Sequence, residues 1–256
     1  MTQKEKPNKG YHRSEVDFFD NQYGEDQYHL KGFELRMHRD LKIITNHFGN
    51  RKISRALCVG CGEGSFEILL SQHVEQIVAL DISSKAIEKA KSNATVLGIG
   101  NIDFRVQAFE ELDWEEKFDA IICVAFLHHV PENELTGFLE NCNKHLKTDG
   151  LFYSSDPNAK SIVRKIGRVI LGKSYDRFHT SDERELIIED LEADLDQAGF
   201  TQVEIQNTDY FLIPASYILA KWPAVFLRLV WLVDWVCIRT LWSGSGSSFA
   251  ALSQKN

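Results

Sequence analysis

The sequence predicts an α/β protein built on a doubly wound, mostly parallel sheet, and three observations carry that prediction. From Arg55 onward, short β-rich runs alternate with helical patterns. The runs are apolar on both faces, as strands covered by helices on either side must be. A glycine-rich turn, Gly60-Cys61-Gly62-Glu63-Gly64, joins the first run to the first helix of the series. With 256 residues the chain can bury a full core as one domain with a terminal extension.

Taken in order, residues 1–10 are polar with no apolar core segment, which predicts a disordered tail and no signal peptide. Arg55–Val59, Ile77–Asp81, Ile102–Val106, Phe118–Val124 and Gly150–Ser155 are the expected strands. Ala86, Ala90, Ala94 and Leu97 form one helical stripe, ended by Gly98. Leu135, Phe138, Leu139, Cys142 and Leu146 form another, begun by Pro131. After an insertion over 157–180, a helix is expected from Ser181 to Ala198, and a hairpin of Thr201–Gln206 with Tyr210–Ile213 closes the sheet. An apolar helical extension then covers 214–242. Residues 243–256 open with Ser-Gly-Ser-Gly-Ser-Ser and read as a flexible tail.

A net charge of −8 argues against nucleic acid as a partner, because phosphate binding needs a basic surface. The cysteine count of five is odd, which suits reduced thiols and a cytoplasmic setting. Cys58 and Cys61 form a C-x-x-C without the second ligand pair of a closed metal site, so no metal is expected.

The glycine turn carries the first functional signal. Glycine permits positive φ and lets main chain approach a ligand closely. A dinucleotide loop wants Gly-x-Gly-x-x-Gly or Ala, and Ser65 stands at that last place. Asp81 ends the next strand, where a carboxylate can accept hydrogen bonds from both hydroxyls of a ribose.

From about Arg55 to Gln206 the chain resembles the class I S-adenosylmethionine-dependent methyltransferases, their small-molecule group in particular. Val59-Gly60-Cys61-Gly62-Glu63-Gly64 matches the first motif and Val78-Ala79-Leu80-Asp81 the second. Phe118–Cys123 with Leu127-His128-His129-Val130 matches the fourth-strand motif, and Gln197-Ala198-Gly199-Phe200 the late helix-to-strand turn. The resemblance implies a Rossmann-like domain over 51–213 with seven strands, the last antiparallel and inserted beside the edge, and a helical N-terminal lid over 11–50. It places S-adenosylmethionine against Gly60, Cys61, Gly62, Gly64, Asp81, Ile82, Gln107, Ala108, Phe109 and Cys123. Two positions depart from the pattern. Cys58 stands where the family carries an acid, and Gln107 or the Ala108–Phe109 main chain must meet the adenine in place of an Asp.

Methyl transfer from a sulfonium is an in-line displacement, so the protein has mainly to align the acceptor and exclude water. For a hydroxyl acceptor, a base adds about 10²–10⁴ in rate. His128 and His129 follow the fourth strand, where open sheets bind ligands, and either serve the acceptor or cap the next helix. His179 belongs by resemblance to a loop that closes the cleft. Methyl transfer, with oxygen the favoured acceptor atom, is the leading expectation. An inactive adenosyl-binding or membrane-adaptor protein is the alternative.

Two segments stand outside the generic pattern. Residues 158–173 hold Lys160, Arg164, Lys165, Arg168 and Lys173, no acid, and an apolar stripe at helical spacing. Residues 214–242 are rich in Trp, Leu and Val, interrupted by Arg228, Asp234 and Arg239. These charges oppose a membrane span. The segment is expected to lie in an anionic membrane interface, or else to cover the sheet edge, the acceptor pocket or a second subunit. A small-molecule or lipid-like acceptor follows from the first case.

Overall fold

A computed structural model describes residues 31–111, 115–171, 183–218, 224–240 and 245–256. Its centre is a seven-stranded sheet in the order β3-β2-β1-β4-β5-β7-β6. Strands β1 (Ile53–Val59), β2 (Val74–Asp81), β3 (Ile102–Val106), β4 (Phe118–Val124) and β5 (Leu146–Pro157) run parallel, and β7 (Ser248–Lys255) lies antiparallel between β5 and β6 (Phe200–Asp209). The seven strands and the inserted antiparallel strand are those implied by the resemblance.

Alternation along the strands splits the core into two layers, as a period of two requires. Leu57, Val59, Leu80, Ile121 and Phe152 face helices α4 (Glu132–His145) and α6 (Ile188–Gln197). Ala56, Cys58, Ala79, Ile122 and Tyr153 face α1 (Lys31–Phe48), α2 (Ser65–Leu70) and α3 (Ser84–Val96). Residues 1–30 lie outside the described residues, so the expected tail and the first part of the expected lid do too. Within Lys31–Phe48, Ile44 and Phe48 pack into the core layer on the β1–β2 side.

The structure revises the end of the chain. Residues 248–255, expected to be flexible, form β7, with Phe249, Ala250, Ala251 and Ser253 fully buried. Small residues suit a strand covered on both faces and paired on both edges, but their low β-propensity and the Ser-Gly run before them read as linker. Tyr210–Ile213, expected as the closing strand, instead leads into helix α7 (Leu212–Ile218). The apolar segment is therefore an insertion between β6 and β7, made of α7 and α8 (Ala224–Thr240), rather than a C-terminal extension. The late helix is also shorter than expected, because Leu186 bridges to Asn158 and the helix begins at Ile188. Inside the 157–180 insertion, α5 spans Ile162–Leu171.

One side chain explains why the chain turns helical after Tyr210. Asp234 of α8 is buried and accepts the backbone N–H groups of Tyr210 (3.2 Å), Phe211 (2.8 Å) and Leu212 (2.9 Å). These donors have no partner within α7 itself. Burial pushes the Asp234 carboxyl up to about 6. Asp234→Ala is expected to cost about 2–3 kcal/mol by orphaning donors, two of them on buried residues, and Asp234→Asn less. Urea unfolding of the two variants measures this, and an unchanged midpoint for Asp234→Ala would rule out the cap.

Candidate active site

The glycine turn leaves β1 with Gly60, Gly62 and Gly64 all at positive φ (73°, 51° and 76°). A Cβ on Gly60 would meet Phe126 Cδ2 at 2.4 Å, and one on Gly64 would meet Phe104 at 2.9 Å. The positive φ values and these close approaches together demand glycine at both positions. Cys61 sits within the turn with its thiol buried, and burial holds it well above the ordinary thiol range.

Asp81 closes the cradle. Its Oδ2 accepts the Gly62 N–H at 2.8 Å and its Oδ1 the Ser83 N–H at 2.9 Å, so one carboxylate pins both the glycine turn and the start of α3. Two carboxylate oxygens have about four acceptor sites, which leaves capacity for two ribose hydroxyls. Ile82 is half-buried beside it, and the Gln107 N–H donates to the Asp81 carbonyl, which sets Gln107 and Ala108 next to the same rim. The Phe109 ring packs on Phe138, so its main chain is the part available to a ligand. The Cys123 side chain, near the end of β4, is fully buried in the core layer. Bare glycine main chain facing an acid at the next strand end fits an adenosyl group.

Beneath the turn lies a residue that the motif pattern does not reveal. Glu67 of α2 is buried beside the Cys58 thiol, and burial with the nearby Asp81 charge pushes its carboxyl up to about 8. The Glu67 carboxyl thus meets Cys58 from the helix that follows the glycine turn. Only packing brings the two positions together.

The histidine pair occupies a short turn, Leu127–His129, after β4. His128 Nδ1 lies 2.9 Å from Asp156 Oδ1, and the His128 N–H also points to that oxygen at 3.3 Å. Asp156 ends β5 and is fully buried, and burial pushes its carboxyl up to about 6 against the pull of the Arg36 guanidinium. Arg36, from α1, donates to the Ser155 carbonyl at 2.7 Å and so stands behind the dyad. The His129 ring lies 4.1 Å from that of His128, and its charge acts on both Asp81 and Asp156. The imidazole pair is therefore within electrostatic reach of both Asp81 and the buried Asp156.

The segment before α6 reaches the same place. The Arg184 N–H donates to the His128 carbonyl at 3.1 Å, and Glu183 Oε1 approaches His129 Nε2 at 3.8 Å. Among the described residues, His128, His129 and Glu183 form the group that could hold a metal ion, with ligand atoms within 4.8 Å of one another. His179 lies outside the described residues. Asp156, Glu183 and Arg36 escaped the sequence reading, although the acid at the end of β5 was a visible signal.

The methyltransferase domain family matches residues 56–150. Among curated proteins, a ubiquinone biosynthesis O-methyltransferase of Xanthomonas axonopodis is 32% identical over 107 residues, 41% of this chain and 44% of that protein. Nodulation protein S of Azorhizobium caulinodans is 28% identical over 145 residues, 56% of this chain and 68% of that protein. The match to the Xanthomonas protein thus spans less than half of its length. Among solved structures, the N-methyltransferase NodS of Bradyrhizobium japonicum with S-adenosyl-L-homocysteine aligns with a TM-score of 0.62 at 15% identity, over 94% of this chain and 97% of that one. Magnesium protoporphyrin IX methyltransferase of Synechocystis aligns at 0.63 and 16% identity, over 96% and 100%. At such identities these neighbours speak to the fold alone. Strand order and matched segment agree: residues 56–150 form a methyltransferase domain, and the chain has the Rossmann-like fold of the S-adenosylmethionine-dependent methyltransferases.

Proposed function

We propose that the protein transfers a methyl group from S-adenosylmethionine to an oxygen of a small-molecule acceptor, with His128 as the base. When bound, the cofactor supplies a methyl group already activated on a sulfonium. The observation that carries the choice of oxygen is the His128–Asp156 pair at 2.9 Å, beside the cofactor rim. A buried carboxylate on Nδ1 fixes the imidazole's tautomer and stabilises its protonated form, which leaves Nε2 as the atom that exchanges a proton. The O-methyltransferase relative supports the same choice. The acceptor we favour is a phenol-type hydroxyl on an apolar carrier, supported by that relative and by the exposed apolar helix α8.

Methyl-labelled S-adenosylmethionine with a panel of phenols and amines tests the proposal. Label on oxygen is expected, and label confined to amines, or binding without turnover on the whole panel, would displace it. In His128→Ala, turnover should fall by about 10²–10⁴ with cofactor affinity retained. Wild-type turnover should also fall as pH drops through about 6, where Asp156 takes up a proton and no longer supports an imidazolium. Asp156→Asn should lower turnover and lose that acid limb. A purely structural role would leave the shape of the pH profile unchanged.

A further inference from the structure

Helix α8 is inverted relative to an ordinary surface helix, which buries its apolar stripe and shows polar side chains. Its most buried side chains are Leu227 and Asp234, seven residues apart and on one face. Val225, Leu229, Trp231, Leu232, Val233 and Trp235 are each 41–56% exposed. Scattered apolar residues at a surface are ordinary, but a contiguous face of them marks an interaction.

Helix α7 packs against α8 on one side and α5 on another, which joins α8 to a second exposed apolar stripe. On α5, Ile162, Ile166 and Val169 are 63%, 54% and 84% exposed. Arg164, Lys165 and Arg168 lie on the same helix. Arg164 is buried against Glu185 at 2.7 Å, and the exposed Arg168 reaches the same carboxylate at 3.2 Å, while Lys165 is exposed. The segment carries no acid in a chain of net charge −8. Between α7 and α8 runs an open groove of about 400 Å³, lined by Phe211, Ala215, Phe226, Leu229, Val230 and Val233. The size and purely apolar lining suit a hydrocarbon chain.

We propose that α5 and α8 form a docking face for an anionic lipid bilayer, lying in its interface with an acyl chain in the α7–α8 groove. The charge pattern selects this occupant. A second copy related by a two-fold axis would bring the same basic and apolar patch and no complementary charge. An anionic bilayer supplies hydrocarbon to Leu229, Leu232 and Val233 and negative charge to the exposed Lys165, with the two arginines beside it sharing one carboxylate, Glu185. Trp231 and Trp235 suit the headgroup level, and Arg239 stacks over the Trp235 ring at 3.8 Å, which places a cation at the same depth. Among the described residues no helix is long and apolar enough to cross a membrane, so contact is along the face. Methyl transfer is no premise of this proposal, which stands on the surface alone.

Flotation of the full chain with vesicles tests it without any activity assay. Binding to mixed phosphatidylcholine–phosphatidylglycerol vesicles is expected, with little to phosphatidylcholine alone and a steep loss in salt. Leu232→Glu and Trp235→Glu, at exposed positions that leave the core intact, should each weaken binding by roughly tenfold or more. Lys165→Glu should weaken it by roughly fivefold or more while leaving the apolar face unchanged. Circular dichroism verifies folding of each variant. No binding to either vesicle would overturn the proposal, as would binding indifferent to all three substitutions. A concentration-dependent dimer that Leu232→Glu converts to monomer would assign the face to a second copy instead.

Discussion

Asp81→Ala is expected to weaken S-adenosylmethionine binding by about two orders of magnitude or more, as read by calorimetry. In the proposed cofactor site the carboxylate would accept the ribose hydroxyls, and hydrogen bonds to a charged group contribute about 1.5–3 kcal/mol each. A second loss adds to the first, because the same oxygens hold the Gly62 and Ser83 N–H groups. Without them the turn loses the anchor that presents bare main chain at Gly60–Gly64, and the start of α3 loses its tie to β2. Asp81→Asn should fall between wild type and Ala. It keeps one acceptor oxygen but turns an amide donor toward an N–H that has to donate. An unchanged dissociation constant in Asp81→Ala would remove the cradle as the cofactor site.

The second large effect concerns stability in mild alkali. Glu67 has a folded pKa of about 8 against an ordinary 4.5, with burial the first cause. For a carboxyl raised in this way the folded state binds the proton more tightly than the unfolded chain. The associated stability is complete below about 4.5 and is lost as pH rises toward 8, at about 1.4 kcal/mol per pH unit. Asp156 and Asp234, each at about 6, contribute with the same sign but finish titrating lower. Wild-type stability should therefore still fall between about pH 6.5 and about pH 8, with Glu67 the main cause. Glu67→Gln, close in shape and unable to ionise, should flatten that slope. Urea unfolding at the two pH values decides it, and equal slopes in wild type and variant would show that water reaches Glu67 and that it ionises as in the unfolded chain.

Strands β1 to β4 were readable to within a few residues because each is a short, two-sided apolar run bounded by turn chemistry. The glycine turn and the acid at the end of β2 were readable for a related reason. Glycine at close approach and an acid at a strand end are local requirements, and local requirements leave local marks. The His128–Asp156 pair was half visible: His128 follows β4, Asp156 lies near the end of its parallel neighbour β5, and the register Val124↔Ser155 brings those ends together. Glu67 was invisible, since nothing in the order of residues says that α2 turns its carboxyl toward Cys58.

The last fifth of the chain divides what order alone determined from what packing decided. By itself the sequence determined the α/β class, the glycine turn after β1 and the apolar character of 214–240, because each rests on composition or spacing within a few residues. Tertiary structure alone decided that Phe249-Ala250-Ala251 would be a strand, that Tyr210–Ile213 would not, and that Asp234 would cap a helix. Those outcomes follow from an open slot between β5 and β6 and from three donors that needed an acceptor. A weakly β-prone segment gains more by filling a doubly covered slot, where every backbone group finds a partner, than its own propensity would suggest.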